Sequence, residues 1–278
     1  MARLSISKAW EEAAAFLARE ARLVAPVALA AFMVPATLFG WYNPSGDPSL
    51  AGGGLGWPLT MIVLILAIMG QMVIAGLAVG WSGSVGAALA HAFKRVWGVL
   101  GTVFLIFVPL TIVLALLLGL VVGGAGITDA TQVTPEALAA VPGFAPLLLA
   151  MMLVFLFAAV RLFPMAVVGM LEMANPLRII ARCWHLTRGH FFRLLGTLLL
   201  ILIASIVASI AVAAVVGSLV TIVSGAPEPF SVSALLVALV DALAGALISA
   251  ISAVLVGRIY AQLSAPVATV PEVSREGD

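Results

Sequence analysis

The stretch VWGVLGTVFLIFVPLTIVLALLLGLVVG, from Val96 to Gly123, runs for 28 residues without one ionisable side chain. About 20 such residues suffice to cross the hydrocarbon core of a bilayer as a helix. That medium offers the backbone no water, so every N–H and C=O must be paired, and a helix pairs them within the segment itself. A membrane-spanning strand alternates in polarity over about 10 residues, which this stretch does not do. It reads as a transmembrane helix.

Working outward, five further stretches have the same character: Leu23–Tyr42, Trp57–Gly80, Phe144–Met170, Phe192–Val223 and Val232–Leu263. Several exceed 25 residues, which predicts tilt or protruding ends. Composition agrees: 64% of the chain is hydrophobic and only 9% charged, against about 25% charged in soluble domains. The fold class expected is all-α, a polytopic bundle of six transmembrane helices forming one domain over residues 1–264. Residues 265–278 lose apolar periodicity and are expected to form a disordered cytoplasmic tail. No length remains for a separate catalytic domain. With a net charge of +1, nothing suggests a nucleic-acid partner.

Orientation follows from the basic residues, which collect on the cytoplasmic side of a membrane. Arg3, Lys8, Arg19, Arg22, Lys94, Arg95, Arg178, Arg182, Arg188, Arg193, Arg258 and Arg275 make up 12 of the 13, and all flank the same ends of the spans. The intervening loops Asn43–Gly56, Gly124–Gly143 and Ser224–Ser231 contain no basic residue, only Asp47, Asp129, Glu136 and Glu228. Both termini are expected in the cytoplasm and the chain in a bacterial inner membrane. Trp41, Tyr42 and Trp57 then fall at the outer interface, and Trp81, Trp97, Trp184 and Tyr260 at the inner one. Glu11, Glu12 and Glu20 stand where a cleaved signal peptide would be basic. Cys183 is the single cysteine, so it has no disulfide partner within the chain and reads as a small packing residue.

Three polar-apolar stretches run into spans from the basic side: Ser5–Arg22, Ser82–Arg95 and Pro176–Arg193. They are expected to be amphipathic helices lying in the headgroup plane, where anionic lipid attracts their basic residues. Each would open a unit of interfacial helix plus hairpin, giving three pseudo-repeats. Leu100-Gly101-Thr102 and Leu195-Gly196-Thr197 recur at matching places in the second and third.

Between the fourth and fifth spans lies a denser pattern. It comprises Arg161-Leu162-Phe163-Pro164-Met165-Ala166-Val167-Val168, then Glu172, Asn175-Pro176-Leu177, and Cys183-Trp184-His185-Leu186-Thr187-Arg188-Gly189-His190-Phe191-Phe192-Arg193-Leu194-Leu195-Gly196. The region Arg161–Gly196 resembles the bacterial membrane-domain family named after glycerophosphodiester phosphodiesterases, with its stand-alone relatives of unknown function. There a span carrying Arg and Pro ends at a Glu, and an amphipathic helix follows an Asn-Pro turn. The resemblance implies a six-helix membrane domain. It does not imply the enzyme activity, which resides in a separate soluble domain. Tyr260-Ala261-Gln262 departs from the family pattern, which has Tyr followed by an acidic-basic pair.

The candidate substrate- or lipid-binding residues are Arg161, Glu172, Arg178, Arg182, Arg188 and Asp241. Arg161 lies about 17 residues into its span, roughly 26 Å at 1.5 Å per residue. A charge at that depth is costly unless paired or snorkelling. Two readings stand: a ligand-handling group, or an anchor reaching lipid phosphates or Glu172, with Pro164 bending the helix between them. Asp241 is the one acid well inside a span. It is either a relay or headgroup anchor, or a carboxyl hydrogen-bonded across helices to Ser205, Ser209 or Ser249. No metal-ligand cluster, nucleophile elbow or phosphate loop occurs, so neither cofactor nor catalytic residue is assigned. Small-residue faces at Gly76/Gly80, Gly119/Gly123, Ala204/Ala208 and Gly245/Ser249 permit close helix packing within the bundle or against a partner. The function expected is a non-enzymatic protein binding or moving an amphipathic substrate, a lipid or hydrophobic peptide. The alternative is a structural or regulatory subunit docked on another membrane protein or on a second copy.

Overall fold

A computed structural model describes residues 5–124, 141–172 and 175–264. The expected tail, and Asp129 and Glu136 in the third loop, lie outside the described residues. Those described are almost entirely helical, with no strand among them. Six helices are long and apolar enough to cross a membrane: α1 (Ile6–Tyr42), α3 (Gly56–Val79), α4 (Val85–Gly124), the pair α5 (Phe144–Arg161) and α6 (Met165–Leu171), α8 (Phe191–Ser224) and α9 (Val232–Ser264). Two short helices complete the set, α2 (Pro48–Gly52) and α7 (Pro176–Thr187). The chain is an all-α polytopic membrane bundle.

Two of the three expected interfacial helices are not separate elements. Ser5 caps α1, its hydroxyl accepting from the Lys8 N–H at 3.4 Å, and the helix continues through Arg22 into the span. Only Glu20, at φ −109° and ψ 18°, leaves helical geometry on the way. Ser82–Arg95 likewise merges into the 40-residue α4. The third remains distinct because Gly189, at φ +86°, takes a left-handed conformation that glycine adopts without steric cost. In α1, Pro26 removes one backbone donor and the next turn, Leu29–Met33, opens into a π turn. The first interhelical loop carries a short helix of its own, α2, which Asp47 caps by accepting from the Ser49 N–H at 2.8 Å.

Helix α9 is the centre of the bundle, packing on α1, α3 and α8. Its alanines at 238, 242, 246, 250 and 253 are buried, and this spacing of small residues lets backbones approach. At Gly257 an added Cβ would come within 2.8 Å of the Ala75 carbonyl of α3. Gly70 of α3 is as tight against α1, where a Cβ would lie 2.7 Å from that of Ala31. The periphery differs. None of the most apolar window of α4 or α8 is buried within the chain, against 39% in α1 and 44% in α3. Lipid is the natural solvent for the most apolar stretches of α4 and α8, whose side chains are largely exposed on the surface of the chain. Bonds from the Ser5 N–H to Gln262 Oε1 and from the Phe230 N–H to the Trp41 carbonyl, both 3.0 Å, tie α1 to α9 at opposite ends.

Candidate functional site

At the basic end, the span containing Arg161 is interrupted. Pro164 cannot donate to a helix and disfavours helical backbone before it, so α5 stops at Arg161 and α6 restarts at Met165. Arg161 therefore sits on the last turn of α5, where the exposed carbonyls favour a cation. Its guanidinium lies 4.5 Å from the Trp184 ring centre, 5.2 Å from Phe157 and 5.8 Å from Phe191. Each such contact contributes about 0.5–2 kcal/mol, the larger figure when desolvated. Arg161 Nη1 donates to Thr187 Oγ1 at 3.4 Å, and its Nε is buried without an acceptor. One side chain thus pins α7 and the start of α8 onto α5. It does not pair with Glu172.

Glu172, just past α6, gives both carboxylate oxygens away. Arg182 Nε of α7 donates to Oε2 at 2.7 Å, and the Tyr260 hydroxyl of α9 donates to Oε1 at 2.5 Å. The carboxylate is only 20% exposed, so solvent screens these bonds less than it would a surface pair. The Glu172 carboxylate accepting from Arg182 holds that guanidinium's pKa above its usual value. Behind it, burial, with Glu172 acting in the same direction, pushes the Cys183 thiol up to about 12. The last carbonyls of α6 are closed from α4: Arg95 Nη1 donates to Gly169 O and Met170 O, each at 3.3 Å, and His91 Nε2 lies 3.1 Å from Met170 O. Gly169 permits this contact, because a Cβ there would fall 2.3 Å from Val99 Cγ2.

These anchors leave α7 with two unlike faces. Ile179, Cys183, Leu186 and Thr187 are buried. Leu177, Arg178, Ala181, Trp184, His185 and Arg188 are exposed, a run at i, i+1, i+4, i+7, i+8 and i+11 that follows one side of the helix. Arg178 and Arg188 thus stand near Leu177 and Trp184 on an outward face. Arg182 points inward to Glu172 instead.

Asp241 is far from this cluster. It is exposed on α9, forms no hydrogen bond among the described residues, and lines a cavity of about 380 Å³ with Gly40, Asn43, Ser45, Ser209 and Pro227. Hydrogen bonding to Ser205 or Ser249, one of the two readings above, does not occur. The Ser205 hydroxyl donates to Ile201 O of its own helix at 2.9 Å, the usual way a helical serine is satisfied. Ser249 contributes only its carbonyl, to Gln71 Nε2 at 3.4 Å. Ser209 shares the cavity without bonding the carboxylate.

The six candidates thus divide into Arg161, Glu172 and Arg182 as internal fastenings, Arg178 and Arg188 as outward charges, and Asp241 as a lone carboxylate. Sequence reasoning did not find the ring contacts of Phe157, Trp184 and Phe191, or Tyr260 as a partner of Glu172. Phe157, one turn before Arg161, was the only local signal. No protein-family model matches the chain, and no curated protein and no solved structure matches it.

Proposed function

We propose that this chain is a non-enzymatic protein of a bacterial inner membrane, with both termini cytoplasmic, that binds or moves an amphipathic substrate such as a lipid or hydrophobic peptide. The observation that carries this is the outward face of α7. Arg178 and Arg188 stand there beside exposed Leu177 and the half-exposed Trp184, while Arg182 and Glu172 fasten the opposite face to the bundle and Arg161 packs against one side of the Trp184 ring. A helix so held presents charge for an anionic headgroup and apolar surface for the chain attached to it. The resemblance of Arg161–Gly196 to the membrane domains associated with glycerophosphodiester phosphodiesterases supports a membrane role without supplying a reaction. The lone Asp241 in the opposite cavity adds a place for a cationic or hydrogen-bonding group of the same substrate.

The test is transfer of a fluorescent lipid or reporter peptide in proteoliposomes. The double variant Arg178→Glu/Arg188→Glu and the single variant Asp241→Asn should both fold and both slow transfer. Wild-type flux in both would contradict the proposal. A second reading, a subunit docked on another membrane protein, is favoured by α4, where Cβ atoms added at Gly119 and Gly123 would meet nothing within 4 Å. Native mass spectrometry that recovers a stoichiometric partner lost on Gly119→Leu would support it.

A further inference from the structure

A second cavity, of about 410 Å³, opens at the basic end, away from α7. Its walls come from three places: α1 around its irregular turn at Glu20, the α3–α4 connection from Gly80 to Val85, and α9 at Arg258. The charges do not balance. Arg19 and Glu20 hold each other at 3.3 Å, both partly in solvent. Arg258 has no such partner. Its guanidinium rests 5.2 Å from the Phe16 ring centre, its Nε is buried without an acceptor, and no carboxylate or carbonyl among the described residues receives its protons.

A half-buried cation without an acceptor is costly unless something supplies one. The other wall points to what that is. The indole Nε1 of Trp81 is also buried with no acceptor. Helix α4 begins at Val85 on the cavity wall; Ser84 Oγ already accepts from the Ala87 N–H at 3.2 Å, and the positive dipole end that remains favours an incoming anion. Glu20, the one acid in the wall, is already engaged by Arg19, so the side-chain groups left unmatched here are donors. The volume is within the range of small-molecule sites.

We infer that this cavity is a binding site for a phosphate group, carried by an anionic lipid headgroup or free in solution, with the Arg258 guanidinium as its principal ligand. The site involves no residue of α7 and stands apart from the transfer role proposed above. A protein that fails the transfer assay can still bind phosphate here, and the reverse holds equally.

The experiment measures the thermal unfolding midpoint of the purified full-length chain in detergent. One series titrates inorganic phosphate, and the other titrates phosphatidylglycerol in mixed micelles, with phosphatidylcholine as control. A ligand that binds only the folded state raises the midpoint by mass action. A rise with phosphate identifies the free anion, and a rise with phosphatidylglycerol alone identifies a headgroup. In either case Arg258→Gln should weaken apparent binding by about 10-fold or more, the effect of removing a charge-assisted hydrogen-bond donor. Glu20→Gln, an accessible change that removes the only acid in the wall, should tighten it by a few fold. No rise with either probe, or affinities unchanged in Glu20→Gln or in a folded Arg258→Gln, overturns the assignment.

Discussion

The cluster around Glu172 and the two cavities along α9 handle charge in opposite ways. In the cluster, each side chain has partners within the chain: Glu172 with Arg182 and Tyr260, Arg161 with three rings and Thr187, its Nε alone left without an acceptor. On α9, Asp241 and Arg258 each border an open volume and form no ion pair of their own among the described residues, the one acid beside Arg258 being Glu20, held by Arg19. Matched charges hold one arrangement in place. Unmatched ones, retained at a cost in or beside the bilayer, keep their interaction free for something that arrives from outside.

The contrast breaks most readily at Glu172. Glu172→Ala strips Arg182 and Tyr260 of their acceptor together and should lower unfolding free energy by about 2–4 kcal/mol, read by chemical denaturation in detergent. A loss no larger than that of Tyr260→Phe would mean the carboxylate is not shared as described. Next comes Arg161→Ala, expected to cost about 1–3 kcal/mol through the emptied ring contacts. Arg161→Lys should restore only part of this, since ammonium lacks the planar face that stacks on Trp184. Asp241→Asn sharpens the comparison from the other side: it should leave stability within about 0.5 kcal/mol of the parent. A clear destabilisation would show a hidden partner and place Asp241 with the fastenings. The smallest effect concerns Cys183. With its thiol held at about 12, the reactive thiolate is scarce at neutral pH. Maleimide labelling of the folded protein should be negligible and should keep rising beyond pH 9, where an ordinary thiol levels off. Rapid labelling at pH 7 would mean α7 detaches readily.

The spans were legible in the sequence because hydrocarbon enforces apolarity residue by residue, and the described helices end within one or two residues of most expected borders. Where one helix passes into the next was not. Ser5–Arg22 and Ser82–Arg95 change in polarity at Leu23 and Val96, yet nothing there breaks the backbone, so each continues as helix; Gly189 does break it, and α7 stands alone. Of the candidate residues, Arg161 and Asp241 were conspicuous because a charge inside an apolar run announces itself. Their surroundings did not. Tyr260 reaches Glu172 across 88 positions, and Trp184 meets Arg161 from a separate helix, α7. Arg258 looked like one more positive charge at a helix end until the absence of any acceptor near it became a matter of geometry.

Helix α1 runs from Ile6 to Tyr42 through the irregular turn at Glu20 and the π turn at Leu29–Met33, and with its cap Asn43 it forms part of the wall of both chambers, through Phe16, Arg19 and Glu20 at one end and Gly40 and Asn43 at the other. Its waist, at Ala31 and Phe32, is clamped on Gly70. The tightest packing of α1 therefore lies between the two chambers, and its π turn at Leu29–Met33 falls at the same place.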